Sequence, residues 1–396
     1  MKIAYLNYMA DLYGYSIGST IKVLKLFRHL EPRGHTVIFH WLGVVNQTGG
    51  ETAPAKERLA SWLRDFLYTP KQMLRNIPQF FREQKLFKKD NPDLLIVRLD
   101  AFRISALALA RLYHVPMVVE ADGACSYEWL TFNNGRHLWN RVLLWCEKIM
   151  LVNAAGIFTQ SREAKAYYVK QHGLPESAIA VIPNGAEIQK PIDFESLEKL
   201  RKDLGIPEHA RIIGFIGSMQ QWHGMRDVQR LVQQVLADFQ DTLFLFVGSG
   251  GALEKDLKEN LQDTGSRVIF TGTVPNEMVH HYIQLFTIAI APYPPIDLFY
   301  FSPMKVFEYM AAGKPIIASN SGQIAEVLKH KESALLYEPG NIPELKKNIV
   351  QLLTNFDLQK KIARNAYQSF VECHTWSHKA AELDDYLKIV YDKPEE

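Results

Sequence analysis

Residues 302–319, Ser302-Pro-Met-Lys-Val-Phe-Glu-Tyr-Met-Ala-Ala-Gly-Lys-Pro-Ile-Ile-Ala-Ser319, read as a helix over 305–312 running into a short apolar strand over 315–318. The same alternation extends on both sides of it. Strands are predicted at 212–216, 243–247, 268–271, 288–291 and 334–337, with helices at 225–239, 251–261, 276–285 and 322–329 between them. The first half carries an earlier copy of the pattern: strands at 3–6, 36–41, 94–97, 117–120, 156–159 and 179–182, helices at 19–30, 101–112 and 162–171. Strands alternating with helices imply parallel, doubly wound sheets. Two runs in a chain of 396 residues suit two domains of about 150–200 residues each, since the chain is too long for one ordinary core.

The expected division is a first domain over 1–185, a polar, proline-bearing linker over 186–204, and a second domain over 205–374. The tail, about 375–396, reads as one more amphipathic helix that crosses back to join the first domain, with Trp376, Leu383, Tyr386 and Leu387 on its apolar face. The expected architecture is α/β, two facing Rossmann-like domains with parallel sheets and an inter-domain cleft that receives ligand at the strand C-termini. Fold alone does not give chemistry, so the site residues must.

With 47% apolar and 22% charged residues the composition is that of a globular protein, and the formal net charge of +2 gives no reason to expect nucleic acid as partner. Cys125, Cys146 and Cys373 have no metal-ligand spacing, and three sparse cysteines fit a reducing compartment. Met1-Lys2 runs directly into a buried-strand pattern, and no run of about eighteen apolar residues occurs, so the expectation is a cytoplasmic protein without a span.

In the opening segment, Pro303 falls in the first helical turn with Ser302 as N-cap. The free backbone N–H groups of the first turn that follows Pro303 and the Lys305 ammonium form an anion site, and Glu308, three residues on, is placed to accept hydrogen bonds from ribose hydroxyls. The same residues also describe an ordinary surface Lys–Glu pair.

Residues 305–319 resemble the signature helix and strand of family 4 glycosyltransferases, which have the GT-B fold. Further pieces match in order: Ser161-Arg-Glu-Ala with Val181-Ile-Pro-Asn-Gly185, Phe215-Ile-Gly217 with His223-Gly224, Phe246-Val-Gly-Ser-Gly250, Phe270-Thr-Gly272-Thr-Val274, Ile290-Ala-Pro292 and Gly322. The resemblance covers nearly the whole chain. It implies a retaining transfer of sugar from a nucleoside diphosphate donor, uridine more than guanosine, to an acceptor hydroxyl. It implies no other cofactor and no metal. Donor contacts would come from Gly18, Ser19, Gly217, Ser218, Gly248, Thr273, Val274, Pro303, Met304, Val306 and Glu308. Catalytic work would fall to Asp122, His223 and Lys305.

The departures are informative. An Arg after Gly217 and a Lys before Gly224 are usual in the family, but here those positions hold Ser218 and His223. The acid usual eight positions before Glu308 falls on Tyr300. Lys305 is therefore expected to supply the missing diphosphate charge, with His223 as a hydrogen-bond donor that is cationic only if its pKa rises above about 6.5.

In the first domain, Tyr15-Ser-Ile-Gly18-Ser19 resembles a reduced glycine loop over the donor phosphates, its donors being backbone N–H groups. Glu120 and Asp122 sit at strand ends, where they serve a sugar hydroxyl or the acceptor, or merely form turns, and Arg98, also at a strand end, binds an acceptor or only pairs with Asp100. Glu128 and Trp129 belong to a variable loop over 125–141 expected to meet the acceptor or to pack inward. The basic stretch 71–89, with Phe80, Phe81 and Phe87 among its cations, fits either peripheral contact with the inner face of an anionic membrane or a solvated outer helix. Two other classes stay open: a sugar-nucleotide epimerase, and a binding protein that transfers nothing.

Overall fold

The structure, a computed structural model, describes residues 1–8, 17–43, 58–132, 139–251 and 253–392. It divides into two compact units, Met1–Pro183 with Trp376–Glu396, and Asn184–Thr375.

The first unit is built on six parallel strands: β1 (Lys2–Asn7), β2 (Thr36–Trp41), β3 (Leu94–Arg98), β4 (Met117–Ala121), β5 (Gly156–Thr159) and β6 (Ile179–Val181). Their order is β2-β1-β3-β4-β5-β6, so the direction of winding reverses between β1 and β3. Every residue of β3, β4 and β5 is buried, which is why they read as near-continuous apolar runs, interrupted only near their ends by Arg98, Glu120 and Thr159, and not as alternating ones. Three helices matter below: α1 (Ile17–Arg28), α2 (Arg58–Leu74) and α3 (Asn76–Asp90).

The second unit repeats the plan with β7 (Arg211–Ile216), β8 (Thr242–Val247), β9 (Val268–Phe270), β10 (Ile288–Ala291), β11 (Ile316–Ser319) and β12 (Leu335–Tyr337). The order β12-β11-β10-β7-β8-β9 reverses between β7 and β10. α4 (Met225–Asp238) buries Met225, Val228, Leu231, Val232, Val235 and Leu236, a 3.6-residue stripe against the sheet. α5 (Met304–Ala311) follows the loop after β10.

The segment expected as a linker is structured. It contains a helix, Phe194–Asp203, whose N-cap Asp193 accepts from the Ser196 N–H, and Leu197, Leu200 and Leu204 pack on the core of the second unit. The chain then returns to the first unit as α6 (Trp376–Tyr391), burying Trp376, Leu383 and Leu387 there. Each such side chain contributes about 1.5–3 kcal/mol. Buried His35 and Asp384 add a 2.8 Å contact. The loop expected over 125–141 holds a helix, Cys125–Phe132, with another at Asn140–Val152, while 133–138 fall outside the described residues.

Candidate functional site

At the β7/β10 reversal, the C-terminal ends of the strands and the start of α5 surround one side chain. Lys305 is 7% exposed, and its Nζ lies 4.1 Å from the centroid of the Phe215 ring and 5.5 Å from that of Tyr293. Among the described residues Nζ has no hydrogen-bond partner. Gly217 closes the other side: its φ is 136°, and a Cβ there would stand 3.0 Å from Lys305 Nζ. Gly248, with φ 119°, lets β8 end against β7, where a Cβ would come within 2.6 Å of the Gly217 carbonyl oxygen. Both positions need glycine for conformation and for space. The Tyr309 hydroxyl pins α5 to the sheet, accepting from the Ile216 N–H at 2.9 Å and lying 3.3 Å from the Ile290 carbonyl.

Burial pushes the Lys305 ammonium down to about 7, with the Glu308 carboxylate acting in the opposite sense. Half-buried Glu308 is thus placed close enough to be felt by the lysine.

Three expectations change here. Pro303 itself occupies the N-cap position of α5 and makes no side-chain cap. Ser302 is not the cap: its Oγ accepts from the Asn184 N–H at 2.9 Å and its carbonyl from Asn184 Nδ2 at 2.6 Å. The Val306 N–H is already donated to the Pro303 carbonyl at 3.1 Å, which leaves Met304 and Lys305 as the first-turn backbone donors to consider.

His223 is the third. Its Nδ1 lies 2.6 Å from the Ser218 carbonyl oxygen, which can only accept, so Nδ1 carries the proton and Nε2 a lone pair. Burial, then the nearby Lys305, pushes its pKa down to about 3. The ring is neutral, so it does not replace a missing cation. Farther out, exposed Thr273 meets the Ser249 hydroxyl, and Val274 packs partly into the core.

At the β1/β3 reversal of the first unit the chemistry differs. Asp122 pairs with Lys22 and, at 2.6 Å, with Arg98. Lys22 also approaches Glu120 at 3.4 Å, and the Tyr5 hydroxyl donates to Glu120. Arg98 is thus partnered by Asp122, whereas Asp100 faces Arg103 at 3.9 Å. Lys22 is 5% exposed and pushed down to about 8 by burial, against the pull of Glu120. Gly18 is exposed in the first turn of α1, and Ser19 follows it, while Tyr15 and Ser16 lie outside the described residues. Glu128 is half-buried in the first turn of the helix Cys125–Phe132. Trp129 packs inward: its ring lies 5.4 Å from Phe102 and stacks at 5.5 Å on Tyr68, which removes it as an open platform.

Comparison with known proteins bears on the family and the fold. The family model for glycosyltransferase family 4 matches residues 18–190, and that for glycosyl transferases group 1 matches residues 210–355. The chain belongs to the family 4 glycosyltransferases. This glycosyltransferase is 25% identical over 276 residues to the 2-deoxystreptamine glucosyltransferase of Streptomyces kanamyceticus, covering 68% of this chain and 70% of that one. It is 22% identical over 254 residues to an uncharacterized glycosyltransferase of Methanocaldococcus jannaschii, covering 61% and 62%. The matched part spans about three fifths of the length of several curated relatives. Among solved structures, a Rickettsia africae glycosyltransferase superposes with TM-score 0.71 at 16% identity, covering 99% of each chain. Anabaena HepE in complex with UDP-glucose superposes with TM-score 0.68 at 17% identity, covering 98% of this chain and all of that one. These matches show the GT-B fold.

Within this glycosyltransferase, Tyr300 takes the place of an acid as a buried ring 4.2 Å from Phe301. It belongs to an aromatic wall with Phe299 and Tyr293. Sequence reasoning missed the two rings that face Lys305, and it missed Lys22 and Tyr5. A signal for Lys22 existed: it shares the apolar stripe of α1 with Val23, Leu26 and Phe27, an odd place for lysine. Among the described residues no group of His, Cys, Asp or Glu is arranged to hold a metal ion, and no helix is long and apolar enough to cross a membrane.

Proposed function

We propose that the chain transfers a sugar, with retention at the anomeric carbon, from a uridine diphosphate sugar to an acceptor hydroxyl. The observation that carries this reading is the buried, unpartnered ammonium of Lys305 at the strand-order reversal of the second unit. A lone buried cation is costly unless an anion completes it. A diphosphate does so, and its charge grows as the glycosidic bond breaks.

In this scheme Lys305 and the first-turn N–H groups of Met304 and Lys305 stabilise the leaving diphosphate, an electrostatic contribution strengthened by exclusion of water. Glu308 accepts hydrogen bonds from the ribose hydroxyls, and Thr273 and Val274 border the base. The lone pair of His223 Nε2 accepts from a hydroxyl of the donor sugar. Asp122, paired with Lys22 and Arg98, accepts from the acceptor. The bond from anomeric carbon to phosphate oxygen breaks, and the bond to the acceptor oxygen forms on the same face. The acceptor proton passes to the leaving diphosphate. No enzyme carboxylate serves as nucleophile, unlike a retaining glycosidase, and no divalent ion enters the scheme. The uridine assignment is supported by the shared fold with HepE, whose structure holds UDP-glucose.

A thermal-shift panel of uridine and guanosine diphosphate sugars tests the donor assignment, because a ligand bound to the native state raises its stability. Stabilisation by the uridine series is expected, and a flat panel would refute it. Incubation with donor alone separates the reactions: an altered free sugar nucleotide indicates an epimerase. With acceptor present, the proton coupling at the new anomeric centre should report the configuration of the donor.

A further inference from the structure

The outer face of α2 and α3 presents only two kinds of side chain between residues 66 and 90. Large apolar groups are unusually open: Leu74 is 65% exposed, Ile77 58%, Phe81 56%, Leu67 49% and Phe66 38%. Leu67, Lys71 and Leu74 follow one line of α2, and Ile77, Phe81 and Lys85 follow one line of α3, at helical spacing. Leu74 and Ile77 flank Arg75, where the two helices meet, so the apolar groups gather at the joint. Cations extend along α3 from there: Arg82, Lys85, Lys88 and Lys89 are all exposed.

The acidic residues of this stretch point the other way. Glu83 is 1% exposed and accepts from Tyr8, Gln79 and Ser105, while Asp90 is 8% exposed and contacts His40 at 2.7 Å. An ordinary solvated helix mixes both signs and does not hold a contiguous group of large apolar side chains in water. Here negative charge is turned inward, and positive charge and apolar surface are turned outward.

We propose that this face docks on an anionic phospholipid bilayer. Leu74, Ile77 and Phe81 enter the boundary between headgroups and acyl chains, and Lys71, Arg82, Lys85, Lys88 and Lys89 meet the lipid phosphates. A nucleic acid would also meet the cations, but the aliphatic tip has no role against phosphate and ribose. An acidic protein groove has no independent support in the face. Docking is separate from the transfer chemistry, since neither donor nor acceptor is needed to observe it.

The test is co-sedimentation of the full chain with vesicles of phosphatidylcholine mixed with phosphatidylglycerol, and with vesicles of phosphatidylcholine alone. Binding to the mixed vesicles, weakened by salt, is expected, with little to the neutral ones. Lys85→Glu with Lys88→Glu and Lys89→Glu should lower the vesicle partition coefficient by about 100-fold or more, given roughly a five-fold gain per surface cation. Leu74→Asp with Phe81→Asp should remove binding while leaving the cations in place. All five positions are exposed, and melting by circular dichroism confirms that the variants fold. Failure to bind the mixed vesicles, or equal binding by the apolar-face variant, overturns the proposal. So does equal binding to neutral vesicles. Binding to an RNA oligonucleotide without vesicle binding assigns the face to nucleic acid and overturns it as well.

Discussion

The two strand-order reversals carry buried charge in opposite arrangements. At the β1/β3 reversal two cations, Lys22 and Arg98, meet two carboxylates, Glu120 and Asp122. At the β7/β10 reversal a single ammonium, Lys305, stands between aromatic rings with no hydrogen-bond partner among the described residues. Both lysines are displaced downward in pKa by burial, to about 8 for Lys22 and about 7 for Lys305. The first network pairs each of its charges with an opposite one, although Arg98 Nε and Nη1 have no hydrogen-bond partner among the described residues. The second lacks its anion, and that deficit is the basis for assigning it to a ligand.

The largest effect should come from breaking the paired network. Asp122→Ala leaves Lys22 and Arg98 facing one another without their shared partner, and should destabilise the protein by about 3–5 kcal/mol in urea denaturation. Next in size is Gly217→Ala. Its positive φ and the 3.0 Å approach of the new Cβ to Lys305 Nζ should cost about 1–3 kcal/mol and weaken nucleotide binding measured by calorimetry.

The pH dependence sharpens the contrast further. The folded pKa of Lys305 lies below its unfolded value, so between about 7 and 10.5 the unfolded chain binds the extra proton. Ligand-free stability from this group is therefore lowest below about 7 and improves as pH rises through that window. Binding of a diphosphate, which requires the ammonium, runs the other way. Calorimetric affinity should fall above about pH 7, by at most tenfold per pH unit, with uptake of a proton. Lys22, with a folded pKa of about 8, should add a stability slope of the same sign between about 8 and 10.5, but no pH dependence of nucleotide binding.

The strands were readable because parallel sheets covered on both faces leave unbroken apolar runs, as in residues 94–97 and 243–247. Lys305 and Glu308 were readable because they share a short helix. The helix Cys125–Phe132 was not, since Cys-Ser-Tyr-Glu-Trp gives no helical period. The network around Asp122 was only half legible. Tyr5 and Glu120 stand 115 positions apart, and nothing local couples them. The neutrality of His223 follows from burial and from nearby Lys305, and its tautomer from the Ser218 carbonyl, none of which a residue type reveals.

The most direct test of the central claim is the melting temperature of Lys305→Met with and without uridine diphosphate sugar, beside the wild-type chain. Removing an unpaired buried charge should leave the ligand-free variant as stable as the wild type or more so. The same change should weaken nucleotide binding about 10- to 100-fold, the worth of one charge-assisted contact, and so suppress the ligand-induced shift. A variant that loses stability on its own yet keeps the full nucleotide shift would show that Lys305 is a structural residue and that the donor is held elsewhere.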